Sequence, residues 1–236
     1  TAHAHDRGRP WQEQHPDRRS RGKRAWQEYL TVKILTVVQQ QRRERILFST
    51  REQLSQLGYE GLNMRDLAVI ADVSTSTLYN LYQSKDTLIL AALEDQLAGI
   101  NAVVAETSTS GLGRFLARVE TVADQIAETP KYAEAMGKML FNADSQDPIV
   151  QLLIGTSLSF HREELAEMAA QGELRPGTDR NFLARSLSSV GWSTMLMWMK
   201  GYVALHDFKQ EYVRNAVTMM LPYVTQAAEV RLRQHL

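Results

Sequence analysis

The feature that most constrains the fold is a succession of helical segments, each bounded by capping or terminating residues. From residue 42 onward, apolar residues recur at three- and four-residue spacings, the period of one face of an α-helix. Ser74, Ser84 and Asp179 precede such segments and can cap them, and Gly58 supplies a helix end. No stretch alternates between apolar and polar residues for long enough to indicate a strand. The sequence therefore predicts an all-α protein of about nine or ten helices.

Proline and aspartate mark the helix boundaries in the second half of the chain. Pro130 and Pro148 suit the first position of a helix, so we expect one helix over about 130–142 and another over about 148–170. Asp179 predicts a helix that reaches about residue 204, and Asp207 predicts the start of the last helix.

Composition indicates one large or two small globular domains and excludes several classes of site. The 236 residues are 44% hydrophobic and 23% charged. None is a cysteine, which excludes a thiol nucleophile and any Cys-based metal site. No apolar run approaches the roughly 18 residues needed to span a bilayer. We therefore expect a cytoplasmic protein without a membrane partner.

Charge is distributed unevenly although the formal net charge is zero. Residues 1–48 hold eleven Lys or Arg against five Asp or Glu, whereas residues 49–98 hold three against seven. Only the positive N-terminal part could attract a polyanion by bulk charge. We expect residues 1–38 to be a mobile basic arm with a lead-in helix at its end. The arm is either a solvated tail or a source of positive charge for a DNA complex, through Arg18, Arg19, Arg21, Lys23 and Arg24.

Residues 46–88 have the spacing of a helix-turn-helix. A first helix is followed by a short helix, a three-residue turn and a second short helix. The second short helix of such a motif enters the major groove of DNA, so its outward side chains must be small or polar. Val73, Leu78 and Leu81 are the predicted inward anchors. The predicted outward residues are Thr75, Ser76, Thr77, Tyr79 and Asn80.

The residues of this motif resemble the DNA-binding domain of the TetR family of transcriptional regulators. The resemblance lies in residues 58–59, 64–68 and 71–88. Asp72 stands where the family usually has glycine, and aspartate tolerates the left-handed conformation better than most residues. The resemblance implies a homodimer that binds double-stranded operator DNA. It also implies a DNA-binding domain over residues 39–90 and a helical effector-binding and dimerisation domain over residues 91–236.

The resemblance assigns roles to individual residues of the motif. Phosphate contacts are implied for Tyr79, Tyr82 and Lys85, and Arg65 is the other positive charge close to the motif. Tyr79 and Tyr82 could instead be core aromatics of the helical unit, and Ser84 is better explained as a cap. The residues implied to read or approach bases are Thr75, Ser76, Thr77, Tyr79 and Asn80.

The helix predicted from Asp179 is apolar nearly all round between Val190 and Met199, which indicates burial on every side. One face could line a cavity while another meets a second subunit, and the resemblance implies that the last two long helices pair with those of the partner. Flexible methionines suit an adaptable apolar pocket, although a plain helical core explains any one of them as well. The candidate pocket residues are Phe115, Met136, Met139, Leu140, Phe160, Trp192, Met195 and Met199.

Residues 129–145 and 192–198 also resemble the C-terminal domain of actinobacterial TetR-family repressors of cholesterol catabolism. This resemblance implies a large lipid- or steroid-like effector. The sequence therefore favours a repressor that an apolar small molecule releases from a palindromic operator. The alternatives are a transcriptional activator and a ligand-binding helical dimer with weak DNA binding.

Catalytic and cofactor motifs are absent from the sequence. It contains no GxSxG, P-loop, GxGxxG or HExxH pattern, so we expect no enzymatic activity, no cofactor and no metal. His161 and Glu164 lie three residues apart on one predicted helix face and could chelate a metal. A pair on the helix surface is the more typical explanation of that spacing.

Overall fold

Ten α-helices make up the part of the chain that the computed structural model describes, residues 36–107 and 109–236. The helices are α1 (Val37–Gly61), α2 (Met64–Ile70), α3 (Thr75–Tyr82), α4 (Lys85–Glu106), α5 (Leu112–Glu128), α6 (Pro130–Asn142), α7 (Pro148–Ala170), α8 (Arg180–Met199), α9 (Leu205–Met220) and α10 (Gln226–Leu232). The described residues form no strand, and one isolated antiparallel bridge joins Leu174 and Val224. The predicted all-α class is confirmed.

Side-chain caps fix the starts of the helices where the sequence predicted them. Ser74 Oγ accepts a hydrogen bond from the Thr77 backbone N–H at 3.1 Å, and Ser84 Oγ accepts one from the Thr87 N–H at 3.1 Å. Asp179 Oδ1 accepts from two backbone N–H groups of α8 at 3.0 Å. Each cap pairs a donor that the first helical turn leaves unsatisfied. The capping predictions are confirmed.

Two boundary predictions for the C-terminal helices are wrong. Helix α8 ends at Met199 instead of near residue 204, because Gly201 adopts a φ of 78° that ends the helical path. The last predicted helix is interrupted after Met220. Pro222 lies in a short 3-10 turn there, since proline cannot donate a backbone hydrogen bond within a continuing helix. Helix α10 follows this turn.

The N-terminal arm lies outside the described residues, as does the predicted lead-in helix except for residues 36–38. Helix α1 begins at Val37 with a reciprocal cap. Thr36 Oγ1 accepts from the Gln39 N–H at 3.3 Å, and Gln39 Oε1 accepts from the Thr36 N–H at 2.9 Å. This pair is a capping box, which satisfies two backbone donors at once.

Helix α4 contributes to two hydrophobic cores. Its Leu88 and Ala92 pack in the core of the helix-turn-helix, and its Ile89 and Leu93 pack in a second core. Buried residues of α1 and its C-terminal end, of α6 and of α7 share this second core: Leu54, Leu62, Tyr132, Ala135, Met136, Leu140, Ile149 and Leu153. Residues 42–236 cluster as one compact unit, and α4 runs through residue 90 without a break. The division at residue 90 stays a prediction.

Helix α4 is also long and apolar enough to cross a membrane by length and composition alone. Its 22 residues include a window with a mean hydropathy of 1.5, so the expectation that no such run exists is wrong. A third of that window is buried, and Leu88, Ile89 and Leu93 of α4 are almost inaccessible to solvent. Asp95 near its middle is paired with arginines of α1. We therefore interpret α4 as a helix of the protein core.

Candidate DNA-binding surface and ligand cavity

Helix α3 is held by one buried face. Leu78 is fully buried and Tyr82 is only 8% exposed. Both pack in a core to which the neighbouring helices contribute Ile46, Leu47, Met64, Leu67, Ala68, Leu88 and Ala92. Burial raises the pKa of Tyr82 above its usual value. Tyr82 is therefore a core aromatic, and its implied phosphate contact stays a prediction.

The opposite face of α3 is open to solvent. Ser76, Tyr79 and Asn80 are exposed, with 47% of Tyr79 accessible, while Thr75 and Thr77 are half-buried. Leu81 was predicted to be an inward anchor. That prediction is wrong, because Leu81 is 53% exposed. Leu78 and Tyr82, four residues apart, occupy the buried face, and Leu81 lies beside that stripe rather than on it.

The turn between α2 and α3 depends on a left-handed residue. Asp72 adopts a φ of 54°, and the Val73 N–H donates to the Ala68 carbonyl at 2.9 Å to close the turn. Aspartate reaches this conformation at lower cost than most side chains with a Cβ. The interpretation that Asp72 can replace the usual glycine is confirmed.

Hydroxyl groups at the start of α3 are engaged with one another. Ser74 Oγ lies 2.9 Å from Ser76 Oγ and 2.7 Å from Thr77 Oγ1. A hydroxyl bound within the cap has less capacity left for a base edge. By contrast, the Tyr79 hydroxyl and the Asn80 amide have no hydrogen-bond partner among the described residues. These two residues carry the unengaged polar groups of the exposed face.

Lys85 is positioned by a residue to which the sequence analysis gave no role. Its ammonium nitrogen lies 4.1 Å from the ring centroid of Tyr59, a cation–π contact. The Tyr59 hydroxyl donates to Asp86 Oδ1 at 2.6 Å, and that bond raises the pKa of Tyr59 to about 12. Tyr59 thus fixes the position of Lys85 at the N-terminus of α4. Arg65 is exposed in the first turn of α2.

A cavity of about 150 Å³ lies among helices α4–α9. Apolar side chains dominate its walls. Four of the eight predicted pocket residues line it: Met136, Phe160, Trp192 and Met195. Residues that sequence reasoning missed include Gln96, Tyr132, His161 and Tyr212. Helical periodicity could not have identified them as cavity residues. It selects apolar side chains, and each of these four side chains carries a polar group.

The other four predicted pocket residues lie elsewhere. Phe115 is fully buried in the core formed by α5 with α7–α10, and Leu140 is buried in the core shared with α4. Met199 packs against Gly137. Met139 borders a second cavity of about 650 Å³ between the α1–α4 region and helices α6 and α7. The cavity around Trp192 does not include these four residues.

One wall of the Trp192 cavity contains a buried ion pair. Arg118 Nε donates to Glu164 Oε1, its Nη1 donates to Asn101 Oδ1 at 2.6 Å, and its guanidinium lies 3.9 Å from the Phe160 ring centroid. Glu164 is 1% exposed, so the interpretation of His161 and Glu164 as a surface pair is wrong. Within the described residues there is no group of three His, Asp or Glu side chains that could hold a metal.

The sequence of the helix-turn-helix matches a known family model. Residues 46–92 match the model described as bacterial regulatory proteins, tetR family. The chain is 32% identical over 168 residues to the HTH-type transcriptional repressor KstR of Mycobacterium tuberculosis, covering 68% of this chain and 72% of the relative. The chain belongs to the TetR family of transcriptional regulators. TetR regulators bind operator DNA, act as dimers and are not enzymes, in agreement with the predicted class.

Solved structures of TetR-family proteins share the fold. A regulator from Rhodococcus sp. superposes with a TM-score of 0.66 at 19% identity, covering 77% of this chain and 99% of that one. The repressor FadR of Thermus thermophilus, in complex with lauroyl-CoA, gives a TM-score of 0.59 at 21% identity, covering 75% and 93%. The observed helix-turn-helix followed by a helical region is therefore the TetR arrangement.

Proposed function

We propose that this TetR-family protein is a cytoplasmic repressor that binds a palindromic operator as a homodimer and is released by an apolar small molecule. The observation that carries the proposal is helix α4, which shares the core of the helix-turn-helix and also lines the ligand cavity. Leu88 and Ala92 pack behind α3, and Leu93, Gln96 and Ile100 line the cavity. A ligand that displaces α4 would therefore displace α3.

The exposed face of α3 supports the DNA-binding part of the proposal. Tyr79 and Asn80 present unengaged polar groups, with Arg65 and Lys85 as flanking positive charges. In a dimer, two such helices would enter major grooves about 34 Å apart, one turn of DNA. Arg65, Lys85 and Tyr79 would contact phosphates, and Thr75, Ser76, Thr77 and Asn80 would approach base edges.

The apolar cavity supports the effector class. KstR is a repressor, and the FadR structure contains lauroyl-CoA, which combines a long acyl chain with a polar head. A cavity of about 150 Å³ is comparable to an engineered cavity that binds benzene. A lipid- or steroid-sized effector would have to widen it. Widening moves the cavity walls, and α4 is one of them.

The apolar surface of α8 and α9 supports dimerisation through these helices. Phe182, Leu196, Met197 and Leu205 are large hydrophobic residues of the two helices that remain at least a third exposed. Exposed large hydrophobic residues on two adjacent helices are typical of a protein–protein interface. We assign it to the second copy of the chain, because the family acts as dimers.

Selection of genomic fragments by the purified protein tests the proposal. Fragments retained at about 50 mM and at about 200 mM salt would be sequenced, and the effect of the protein on a reporter placed behind the recovered site would be measured. A shared palindrome with reduced reporter expression is the expected result. Increased expression would indicate an activator instead.

The low positive charge of the motif favours one alternative, a ligand-binding dimer with weak DNA binding. Residues 49–98 contain three basic residues against seven acidic ones. Retention of unrelated fragments at low salt, followed by their release at high salt, would mean binding by charge alone. That result would contradict operator recognition and leave ligand binding as the function.

A further inference from the structure

Unpartnered polar atoms are concentrated around the Trp192 cavity. Five buried side-chain atoms have no hydrogen-bond partner within the described residues: Gln96 Oε1, Tyr132 Oη, His161 Nδ1, Glu164 Oε2 and Trp192 Nε1. The first three and the last belong to residues that line the cavity, and Glu164 is bound to the lining residue Arg118. His161 Nδ1 and Glu164 Oε2 lie 3.5 Å from each other, an ion-pair distance without a hydrogen bond. Buried polar groups are satisfied almost everywhere in native proteins, so a cluster of exceptions requires a specific cause.

Solvent does not satisfy these atoms in the described conformation. Each exposes less than 1 Å². Tyr132 is 4% exposed, and burial raises its pKa well above the usual value. A group left unpaired in this way carries its full desolvation penalty, which a hydrogen bond with an incoming molecule would remove. Trp192 and Tyr132 both line the cavity, so a ligand that widens it can reach the indole N–H and the phenol.

The charge of the cavity wall favours a neutral ligand. The Arg118 guanidinium is already bound by Glu164 and Asn101. His161, the other basic residue of the lining, has Nδ1 3.5 Å from Glu164 Oε2, so a proton gained there would face that carboxylate. An anionic head group would therefore find no uncompensated cation among the described lining residues and would lose its hydration.

We propose that the effector is a neutral, mostly apolar molecule with one hydroxyl or carbonyl oxygen that accepts a hydrogen bond from Trp192 Nε1. Tyr132, whose buried hydroxyl also has no partner, lines the same cavity and offers a further hydrogen-bonding group. An indole nitrogen only donates, which is why the ligand atom must be an acceptor, whereas the Tyr132 hydroxyl can donate or accept. This inference rests on the proposed function in one respect, that the cavity is the effector site.

Three probes of the same shape test the polar requirement. The full chain would be titrated with 2-naphthol, 2-methylnaphthalene and 2-naphthoate, with binding followed calorimetrically. We expect 2-naphthol to bind about tenfold more tightly than either of the other two, a factor that corresponds to one well-formed hydrogen bond.

Trp192→Phe identifies the donor, because it keeps an aromatic ring and removes the N–H. We expect it to weaken 2-naphthol binding about three- to tenfold and to leave 2-methylnaphthalene within about twofold. Trp198→Phe is the matched control, since Trp198 packs against Phe208 with ring centroids 5.5 Å apart and does not line the cavity. The control should leave all three affinities unchanged.

Several results would overturn the inference. Equal affinity for 2-naphthol and 2-methylnaphthalene would mean a purely apolar site, and preference for 2-naphthoate would mean an anion site. Equal losses for all probes in Trp192→Phe would mean a general packing effect, and no binding of any probe would remove the cavity as a ligand site. The operator selection described above is independent of this result, so a purely apolar preference would leave the proposed repressor intact.

Discussion

The Asp95 carboxylate of α4 accepts a hydrogen bond from Arg51 of α1, with Arg51 Nη1 3.0 Å from Asp95 Oδ2. Its other oxygen accepts from Arg43 at 3.2 Å. Burial raises the pKa of Tyr82 at the end of α3 and of Tyr132 in the cavity wall, and the negative charge of Asp95 adds to both shifts, whereas Arg43 acts against it at Tyr82 and Arg51 at Tyr132. Asp95 therefore ties α4 to α1 through two arginines, and its charge acts on Tyr82 of α3 and on Tyr132 of α6.

Asp95→Asn tests this link. We expect it to destabilise the protein by about 1 kcal/mol, because an amide accepts a weaker hydrogen bond from arginine than a carboxylate does. That loss corresponds to a fall in Tm of about 2–4 °C for a chain of this size. Thermal unfolding of the variant, with the exposed neighbour Glu94→Gln as the control, checks it. Equal Tm values for the two variants would show that the bridge contributes nothing.

Tyr79→Ala tests the reading face of α3. Because 47% of Tyr79 is accessible and its hydroxyl is unengaged, we expect the variant to keep its fold and its dimer. Operator affinity should fall about tenfold, equivalent to about 1.4 kcal/mol. Phe141→Ala on α6, another exposed aromatic, is the control for general effects. Wild-type operator affinity in Tyr79→Ala would refute the assignment of α3.

Deletion of residues 1–24 tests the basic arm, which the structure does not describe. If its arginines neutralise phosphates, the deletion should lower operator affinity and reduce the slope of log affinity against log salt by about 0.9 for each phosphate that is no longer neutralised. Filter binding over a range of salt concentrations measures both quantities. The undeleted chain with Arg18, Arg19 and Arg21 changed to Gln separates charge from length. An unchanged slope would mean that the arm is a solvated tail.

The buried pair of Arg118 and Glu164 suits a double-mutant cycle. Arg118→Met and Glu164→Met should each destabilise the protein by about 3–5 kcal/mol, because each leaves one buried charge without its partner. The double variant removes both charges, so its loss should be smaller than the sum by at least about 1 kcal/mol. Urea unfolding of the four proteins gives the coupling energy. Additive losses would contradict a direct interaction.

Gly191 lines the cavity and provides a steric test of its use. A Cβ at this position would lie 2.9 Å from the Tyr212 hydroxyl oxygen, so Gly191→Ala should force Tyr212 to shift within the cavity. We expect 2-naphthol affinity to fall at least about threefold, a loss near 0.7 kcal/mol. Gly155→Ala in α7 is the control, since its Cβ would meet nothing within 4 Å. If both variants bind the probe like the wild type, the ligand lies elsewhere.

The helix-turn-helix could be predicted from sequence because its determinants are local. Asn63 accepts a hydrogen bond from the Arg65 N–H at 2.8 Å, and Asp72 takes the left-handed conformation within its own turn. Such interactions depend on residues two to four positions apart, which the sequence displays directly. The end of α8 at Met199 was not predicted although the glycine that follows, Gly201, is a local signal, because the apolar run continues to Ala204.

The cavity could be predicted only in part, because helical periodicity identifies an apolar side chain without identifying its neighbours. Met136 and Phe115 are both buried on amphipathic helices, yet only Met136 reaches the cavity. The Arg118–Glu164 pair joins residues 46 positions apart. Long-range pairings of this kind depend on how the helices pack, so a spacing of three residues between His161 and Glu164 indicated a surface pair instead.

The continuity of α4 has a consequence for how the protein unfolds. Because Leu88 and Leu93, little more than one turn apart, belong to different cores, neither core can lose its packing without disturbing the helix that the other requires. Heat or denaturant should therefore melt residues 42–236 in one cooperative transition, with coincident unfolding curves from different probes. A chain cut after residue 90 would lack Ala92 and Leu93 and should not fold as an independent module.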